Sequence, residues 1–283
     1  MNKSSSYFLV FVFLFSSAKA FSQAVTTGPE KGTLVVVGGG GQSDSVYKKF
    51  IELAGGPDAP VVIIPTADGV VEFNDNGGTV RAFKRNGARN ITVLHTTQKE
   101  IANTDSFVAP LKTARAVWFG GGRQWRLVDA YKGTKTEKLF WELLNRGGVI
   151  GGTSAGATIQ GSYLARGDTR NNQIMMGDHE EGFGFIKNIA IDQHVLARNR
   201  QFDLFNILQQ KPELLGIGLD ENTAIIVQGD SFEVYGNSYV LVYDGTFWSR
   251  EGSDLKKLPR ANQVFYFLRP GDKYNMRERK VIR

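Results

Sequence analysis

The chain of 283 residues contains no cysteine, so it can form no disulfide, no thiolate metal site and no thiol nucleophile. Histidine is also scarce, because only His95, His179 and His194 occur. Any imidazole base must therefore be one of these three side chains. The remaining composition, 41% hydrophobic and 22% charged, is typical of a globular protein rather than a collagenous or low-complexity one.

Long apolar runs are missing, except for one at residues 7–15 (YFLVFVFLF). It follows Lys3 and precedes Ala18-Lys19-Ala20, which has the small residues of a cleavage site. A membrane anchor is the alternative, but the run is well short of the ~20 residues that a spanning helix needs. We therefore predict a signal peptide over residues 1–20, a leader over 21–31 and a single domain over 32–283, exported to the periplasm or beyond the cell.

A concentrated basic stripe, which nucleic-acid binding requires, is also lacking. The first 20 residues hold two lysines and no acid, so their removal leaves 32 basic and 28 acidic side chains, a net charge of +4. The basic residues are scattered along the chain. This mild excess suits an acidic ligand, and we expect no nucleic-acid partner and no stable membrane anchor after processing.

Short apolar stretches that alternate with helical stretches fill the first half of the chain. Such alternation predicts an α/β fold, with three layers around a doubly wound, mostly parallel sheet. The predicted strands are 33–37, 61–64, 91–94, 114–119 and the stretch that starts at 149.

The last third of the sequence is richer in β-structure. Closely spaced strands are predicted there, and we expect them to extend the same sheet. They cover 214–219, 224–228, 231–235 and 239–243.

Gly152-Thr153-Ser154-Ala155-Gly156 matches G-x-S-x-G between a short apolar strand and a helix-compatible stretch. This context is typical of a nucleophile elbow, in which a sharp turn exposes the serine hydroxyl. The backbone N–H of Ala155 would then be one oxyanion donor. An ordinary strand-to-helix turn is the alternative.

A nucleophilic serine needs a base. His95 ends an apolar strand, which favours a core role, and His179 lies in the acidic loop 177–181, which favours the surface because no second metal-ligand cluster is visible. His194 precedes Arg198 and Arg200, and from the pattern alone it is either a catalytic base or a solvated helix start.

The orienting acid would come from Asp220-Glu221, between two apolar strands. An ordinary acidic turn is the alternative for this pair.

The four glycines 38–41 could suggest a dinucleotide site. However, a G-x-G-x-x-G register would need its last glycine where Ser43 or Asp44 stands. These glycines are better explained as a tight backbone turn beside the active site.

Three segments together resemble cyanophycinase and its relatives, serine peptidases in one clan with dipeptidase E. They are Gly151–Ala157, Asp192-Gln193-His194 with the following arginines, and Gly216–Ala224, and the resemblance runs from Leu34 to at least Ala224. It implies a class I glutamine-amidotransferase-like fold, Ser154 as nucleophile, His194 as base and Glu221 as orienting acid. It implies no metal or organic cofactor and suggests a homodimer.

The resemblance also implies the rest of the site. The loop from Gly121 to Gln124 would lie near the substrate, and an N–H of its Gly121-Gly122 turn would be the second oxyanion donor. The side chains that would line the pocket are Gln124, Asp192, Gln193 and Arg200.

One position departs from the family pattern. The family carries a further arginine three positions after Arg200, where this chain has Asp203. Cyanophycinases cleave β-aspartyl-arginine units. The sequence thus predicts an exported serine peptidase for (iso)aspartyl-linked amides in a peptide or aspartyl polymer, with altered specificity. A peptide- or cell-wall-fragment-binding protein of the same fold is the alternative.

The signal-peptide prediction is tested by the mass of the exported protein. We expect it to begin at Phe21, or at Val25 if cleavage follows Ala24. Phe11→Asp should block export, because a charge interrupts the apolar run that the export machinery recognises. Exported protein that retains Met1 would contradict the prediction.

Overall fold

The computed structural model describes residues 25–70, 77–252 and 263–283. The predicted signal peptide lies outside these ranges, as do leader residues 21–24. The described part of the leader is attached to the domain: the N–H of Gly28 donates to Gly229 O at 2.8 Å, and Thr26 Oγ1 donates to Asn188 O at 3.0 Å.

The first half of the chain alternates strands with helices. Its elements are β1 (Thr33–Val37), α1 (Asp44–Ala54), β2 (Val61–Ile64), a 3₁₀ turn (Thr66–Asp68), α2 (Gly78–Arg85), β3 (Ile91–Val93), α3 (Lys99–Ala102), α4 (Asp105–Thr113), β4 (Ala116–Phe119), α5 (Trp125–Tyr131), α6 (Lys135–Asn145) and β5 (Val149–Thr153).

The second half contains mostly strands. Its elements are α7 (Ala155–Thr158), β6 (Gly161–Tyr163), β7 (Ile186–Gln193), α8 (Phe205–Leu208), β8 (Leu215–Leu219), β9 (Thr223–Gln228), β10 (Ser231–Gly236), β11 (Val240–Tyr243), β12 (Tyr266–Leu268), β13 (Lys273–Asn275) and β14 (Lys280–Ile282).

Nine of these strands form one sheet in the order β14-β13-β10-β9-β1-β5-β4-β2-β3. The five strands from β1 to β3 in that order are parallel, whereas β9 is antiparallel to β1. The predicted α/β class with a mostly parallel sheet is therefore confirmed.

The β-rich C-terminal part is also confirmed, but its strands divide between two sheets. Strands β9 and β10 extend the large sheet as expected, whereas β8 and β11 belong to a second sheet in the order β12-β11-β8-β7-β6. For those two strands the expectation of a single sheet was wrong. All five residues of β8 are buried. The strand pairs with β7 on one side and with β11 on the other, and neither of these partners belongs to the large sheet.

Apolar clusters cover both faces of the large sheet. Alternate residues of β1 point to opposite faces, so Leu34 and Val36 join one cluster while Val35 and Val37 join the other. The second cluster contains the fully buried Trp118, whose ring lies 5.0 Å from that of Phe50. The clusters lie between the central sheet and the elements packed on each of its faces, and so separate the three layers.

The carboxyl ends of the parallel strands place the candidate site. Strands β1, β4 and β5 run in one direction, so the turns that follow them, at Gly38, Gly120 and Ser154, lie at one edge of the sheet. Within the described ranges, no helix is long and apolar enough to cross a membrane.

Candidate active site

Ser154 lies at a strained turn between β5 and α7. Its backbone has φ 55° and ψ −110°, a conformation that a side-chain-bearing residue seldom adopts, and its N–H donates to Val37 O at 3.0 Å. Side chains are excluded around it: a Cβ on Gly152 would lie 2.3 Å from Gly156 O. The predicted small residues are therefore needed to form the elbow.

His194 lies between Ser154 and Glu221 and is hydrogen-bonded to both. Its Nε2 is 2.9 Å from Ser154 Oγ, and its Nδ1 is 2.6 Å from Glu221 Oε1. A carboxylate can only accept, so Nδ1–H donates to Glu221 and Nε2 is left to accept from the serine hydroxyl. The residue as a whole is 5% exposed.

The adjacent acids Asp220 and Glu221 hydrogen-bond to different parts of the segment from His194 to Ala197. Glu221 holds the ring, whereas Asp220 Oδ1 accepts from the backbone N–H groups of Leu196 and Ala197 at 3.1 and 2.9 Å. Both acids are thus paired, and neither belongs to an ordinary solvated turn.

The glycine run after β1 lies against this hydrogen-bonded chain. Gly39 has φ 119°, and a Cβ there would lie 2.2 Å from the His194 ring. Gly40 has φ 74°, and a Cβ there would lie 2.5 Å from Glu221 Oε2. The run therefore allows the backbone to approach the imidazole and the carboxylate, as the sequence predicts.

The two predicted oxyanion donors lie beside Ser154. Ala155 is the first residue of α7, so its N–H has no acceptor within the helix. A Cβ on Gly121 would lie 3.6 Å from Ser154 Cβ, which places this loop next to the nucleophile. Gly122 has φ 137°, and the turn is fixed where Arg123 N–H donates to Ala67 O at 2.8 Å.

The residues predicted to line the pocket differ in what they can offer a ligand. Gln124 is 1% exposed and donates through Nε2 to Ala165 O at 2.6 Å. Arg200 is 5% exposed and donates through Nη1 to Gln193 Oε1 at 3.2 Å and Gln193 O at 3.4 Å. Among the described residues, no carboxylate forms an ion pair with Arg200.

Asp192 is buried and fully engaged with Arg166, which the sequence did not predict as a site residue. Arg166 Nε and Nη2 donate to its two carboxylate oxygens at 2.7 and 2.9 Å, and Asp192 is 1% exposed. Arg166 also donates to Asp203 Oδ2 at 2.5 Å. Asp203, the residue that the sequence analysis expects to differ from the family pattern, is thus the second counter-ion of a buried arginine.

The other two histidines lie outside this hydrogen-bonded chain. His95 Nδ1 contacts Thr66 Oγ1 at 2.9 Å, while His179 lies between Asp129 and Asp178, each 2.9 Å from a ring nitrogen. The described ranges contain no group of three or more His, Asp or Glu side chains placed to hold a metal ion.

A serine at an elbow, hydrogen-bonded through an imidazole to a carboxylate, is the arrangement of serine hydrolases. Residues 19–235 match the model of Peptidase family S51. The chain therefore belongs to Peptidase family S51 and is a serine-type peptidase.

Curated relatives agree with this assignment. The chain is 32% identical over 251 residues to a cyanophycinase of Geminocystis herdmanii, which covers 83% of this chain and 91% of the relative. It is 27% identical over 281 residues to a cyanophycinase of a Nostoc species, with 94% and 92% covered.

Solved structures share the fold. A peptidase from an acI-B1 Actinobacterium superposes with a TM-score of 0.64 at 24% identity, covering 88% of this chain and 98% of the other. A putative peptidase E from Listeria monocytogenes gives a TM-score of 0.50 at 19% identity, covering 73% and 99%.

The electrostatics of His194 predict how activity depends on pH. Burial lowers the pKa of His194 below its ordinary 6.5, and although Glu221 opposes this, the charges of Arg198 and Arg200 add to it. The imidazole must be neutral to accept a proton, so kcat/KM should fall with acidification along a limb centred below pH 6.5.

Glu221→Gln provides the matched comparison. It removes the charge that raises the pKa of His194, so the acid limb should move to still lower pH. Loss of the orienting carboxylate should reduce kcat by about 100-fold or more. A wild-type limb above pH 6.5, or one that Glu221→Gln moves upward, would contradict this assignment.

Proposed function

We propose that this peptidase is exported and hydrolyses (iso)aspartyl-linked amide bonds, such as β-Asp-Arg units, through a Ser154-His194-Glu221 triad and an acyl-enzyme. The observation that carries the proposal is the continuous chain of 2.9 and 2.6 Å hydrogen bonds from the serine to the glutamate. The cyanophycinase relatives support the substrate class.

In the acylation step, Ser154 Oγ attacks the amide carbonyl carbon while His194 Nε2 takes the hydroxyl proton. The imidazolium that forms is stabilised by Glu221, which accepts from Nδ1–H. His194 then gives the proton to the leaving amine as the C–N bond breaks. Water then attacks the carbonyl carbon of the resulting ester while His194 Nε2 takes its proton, which gives a tetrahedral intermediate. As the bond from this carbon to Ser154 Oγ breaks, His194 returns the proton to Oγ, and the acid product is released.

Negative charge develops on the carbonyl oxygen during both steps. The N–H groups of Ala155 and of the Gly121-Gly122 turn are the proposed donors to it, because both lie beside the nucleophile. Backbone donors fixed before the reaction need no reorganisation when the charge appears, and this makes such donors effective.

Arg200 is the proposed partner of a substrate carboxylate. A β-aspartyl linkage leaves the α-carboxylate of the aspartate free, next to the scissile bond. Arg200 is 5% exposed, yet among the residues that the structure describes it hydrogen-bonds only to neutral oxygens of Gln193. Burial lowers the pKa of its guanidinium. A substrate carboxylate would supply the counter-ion and turn a costly buried charge into a charge-assisted contact.

Ser154→Ala should abolish hydrolysis of β-aspartyl-arginine peptides and leave the fold intact. The wild type should be labelled covalently by a fluorophosphonate, and the variant should not. Ser106→Ala is the matched control, because Ser106 is exposed on α4 and outside the site. A wild type that is folded but neither labelled nor active would favour a binding protein, and an active Ser154→Ala variant would refute the triad.

Arg200→Gln should discriminate between substrates by their charge. For β-aspartyl peptides with a free α-carboxylate, kcat/KM should fall by about 30-fold or more, the equivalent of about 2 kcal/mol. For the same peptides with that carboxylate amidated, the variant and the wild type should be nearly equal. A uniform loss on both substrates would argue against carboxylate recognition by Arg200.

A further inference from the structure

Residues 165–168, the bridge segment, contact the loop on the oxyanion side of the site. Gln124 Nε2 donates to Ala165 O at 2.6 Å, and Arg123 Nη2 donates to Asp168 O. Gln124 and Arg123 directly follow Gly121 and Gly122 in sequence. The bridge segment therefore holds the loop that carries the second proposed oxyanion donor.

The same segment reaches the histidine side of the site through Arg166. Its guanidinium forms a bidentate pair with Asp192, at 2.7 and 2.9 Å. Asp192 Oδ1 also accepts from the N–H of Gln193 at 2.9 Å, at the end of β7. His194 is the next residue, so Arg166 fixes the backbone from which the imidazole extends.

Arg166 also holds the chain beyond the histidine. Its Nη2 donates to Asp203 Oδ2 at 2.5 Å. Asp203 is part of the turn after His194, in which Arg200 N–H donates to Val195 O at 2.6 Å and Asp203 N–H donates to Arg200 O at 2.9 Å. One guanidinium thus restrains the backbone on both sides of His194, whose own φ of 56° lies in the left-handed region.

Burying Arg166 in this conformation is energetically unfavourable, which indicates that the residue does more than stabilise the fold. Arg166 is fully buried, and its φ of 58° is unfavourable for a residue with a side chain. A buried ion pair often adds no stability over apolar residues of the same volume. A forked guanidinium does, however, fix two carboxylates in direction as well as distance, which neither an apolar side chain nor lysine can do.

We infer that Arg166 is a positioning residue, which fixes the position of His194 relative to Ser154 and to the loop from Gly121 to Gln124. The inference depends on the proposed function, since it assigns a task within the proposed triad. Arg166 acts through Asp192 and Asp203 and touches neither Ser154 nor the His194 ring.

The test compares Arg166→Met and Arg166→Lys with Arg89→Met, which breaks a bidentate pair to Asp58 on the exposed surface. We expect kcat of Arg166→Met to fall by about 100-fold with little change in KM, as for displaced catalytic groups. Arg166→Lys should recover part of this loss, because it restores the charge but not the fork. Arg89→Met should match the wild type.

A spectroscopic measurement separates positioning from folding. The Nδ1–H that His194 donates to Glu221 should give a low-field proton resonance in the wild type, and this resonance should shift or broaden in both Arg166 variants. If the Arg166 variants do not fold, Asp203→Asn decides, because it removes one ion pair and leaves the bidentate pair to Asp192. It should lower kcat and move the same resonance.

Folded variants with wild-type kcat and an unchanged resonance would overturn the inference. Its failure can be distinguished from failure of the proposed function, because fluorophosphonate labelling of the wild type tests the triad independently. A labelled wild type with unaffected Arg166 variants would refute only the role of Arg166.

Discussion

The site depends on one backbone hydrogen bond, from the N–H of His194 to Gly38 O at 2.8 Å. His194 follows β7 of the five-stranded sheet, and Gly38 follows β1 of the nine-stranded sheet. The bond therefore joins the two sheets where the imidazole must meet the serine. Glu221 lies at the same junction, because it connects β8 of one sheet to β9 of the other.

Two buried arginines near the site, Arg166 and Arg200, differ in the groups that they contact. The charge of Arg166 is neutralised by ion pairs with Asp192 and Asp203, so the side chain links parts of the protein. Arg200 is also buried, but within the described part of the chain its hydrogen bonds go to neutral oxygens of Gln193 alone. The two arginines are therefore proposed to have opposite roles. Arg166, paired with two carboxylates, holds the protein backbone in place, whereas Arg200, with no carboxylate partner among the described residues, would bind a carboxylate of the substrate.

The sequence could predict those features that depend on local pattern. The elbow at Ser154 needs small neighbours that are adjacent in the chain, and the parallel strands are short apolar runs, so both can be seen without coordinates. Arg166 could not be found in this way, since its partners Asp192 and Asp203 lie 26 and 37 residues away. The division of β8 and β11 into a second sheet was missed for a similar reason, because strand partners are set by packing.

The ion pair between Arg166 and Asp203 also limits the evolutionary paths open to this enzyme. An arginine introduced at position 203 alone would face the buried guanidinium of Arg166, and the like charges would repel. An arginine at position 203 would therefore need a second change elsewhere, at a position that faces the interior. Position 203 thus depends on residue 166, so a single substitution that reverses the charge at 203 should give a less stable protein.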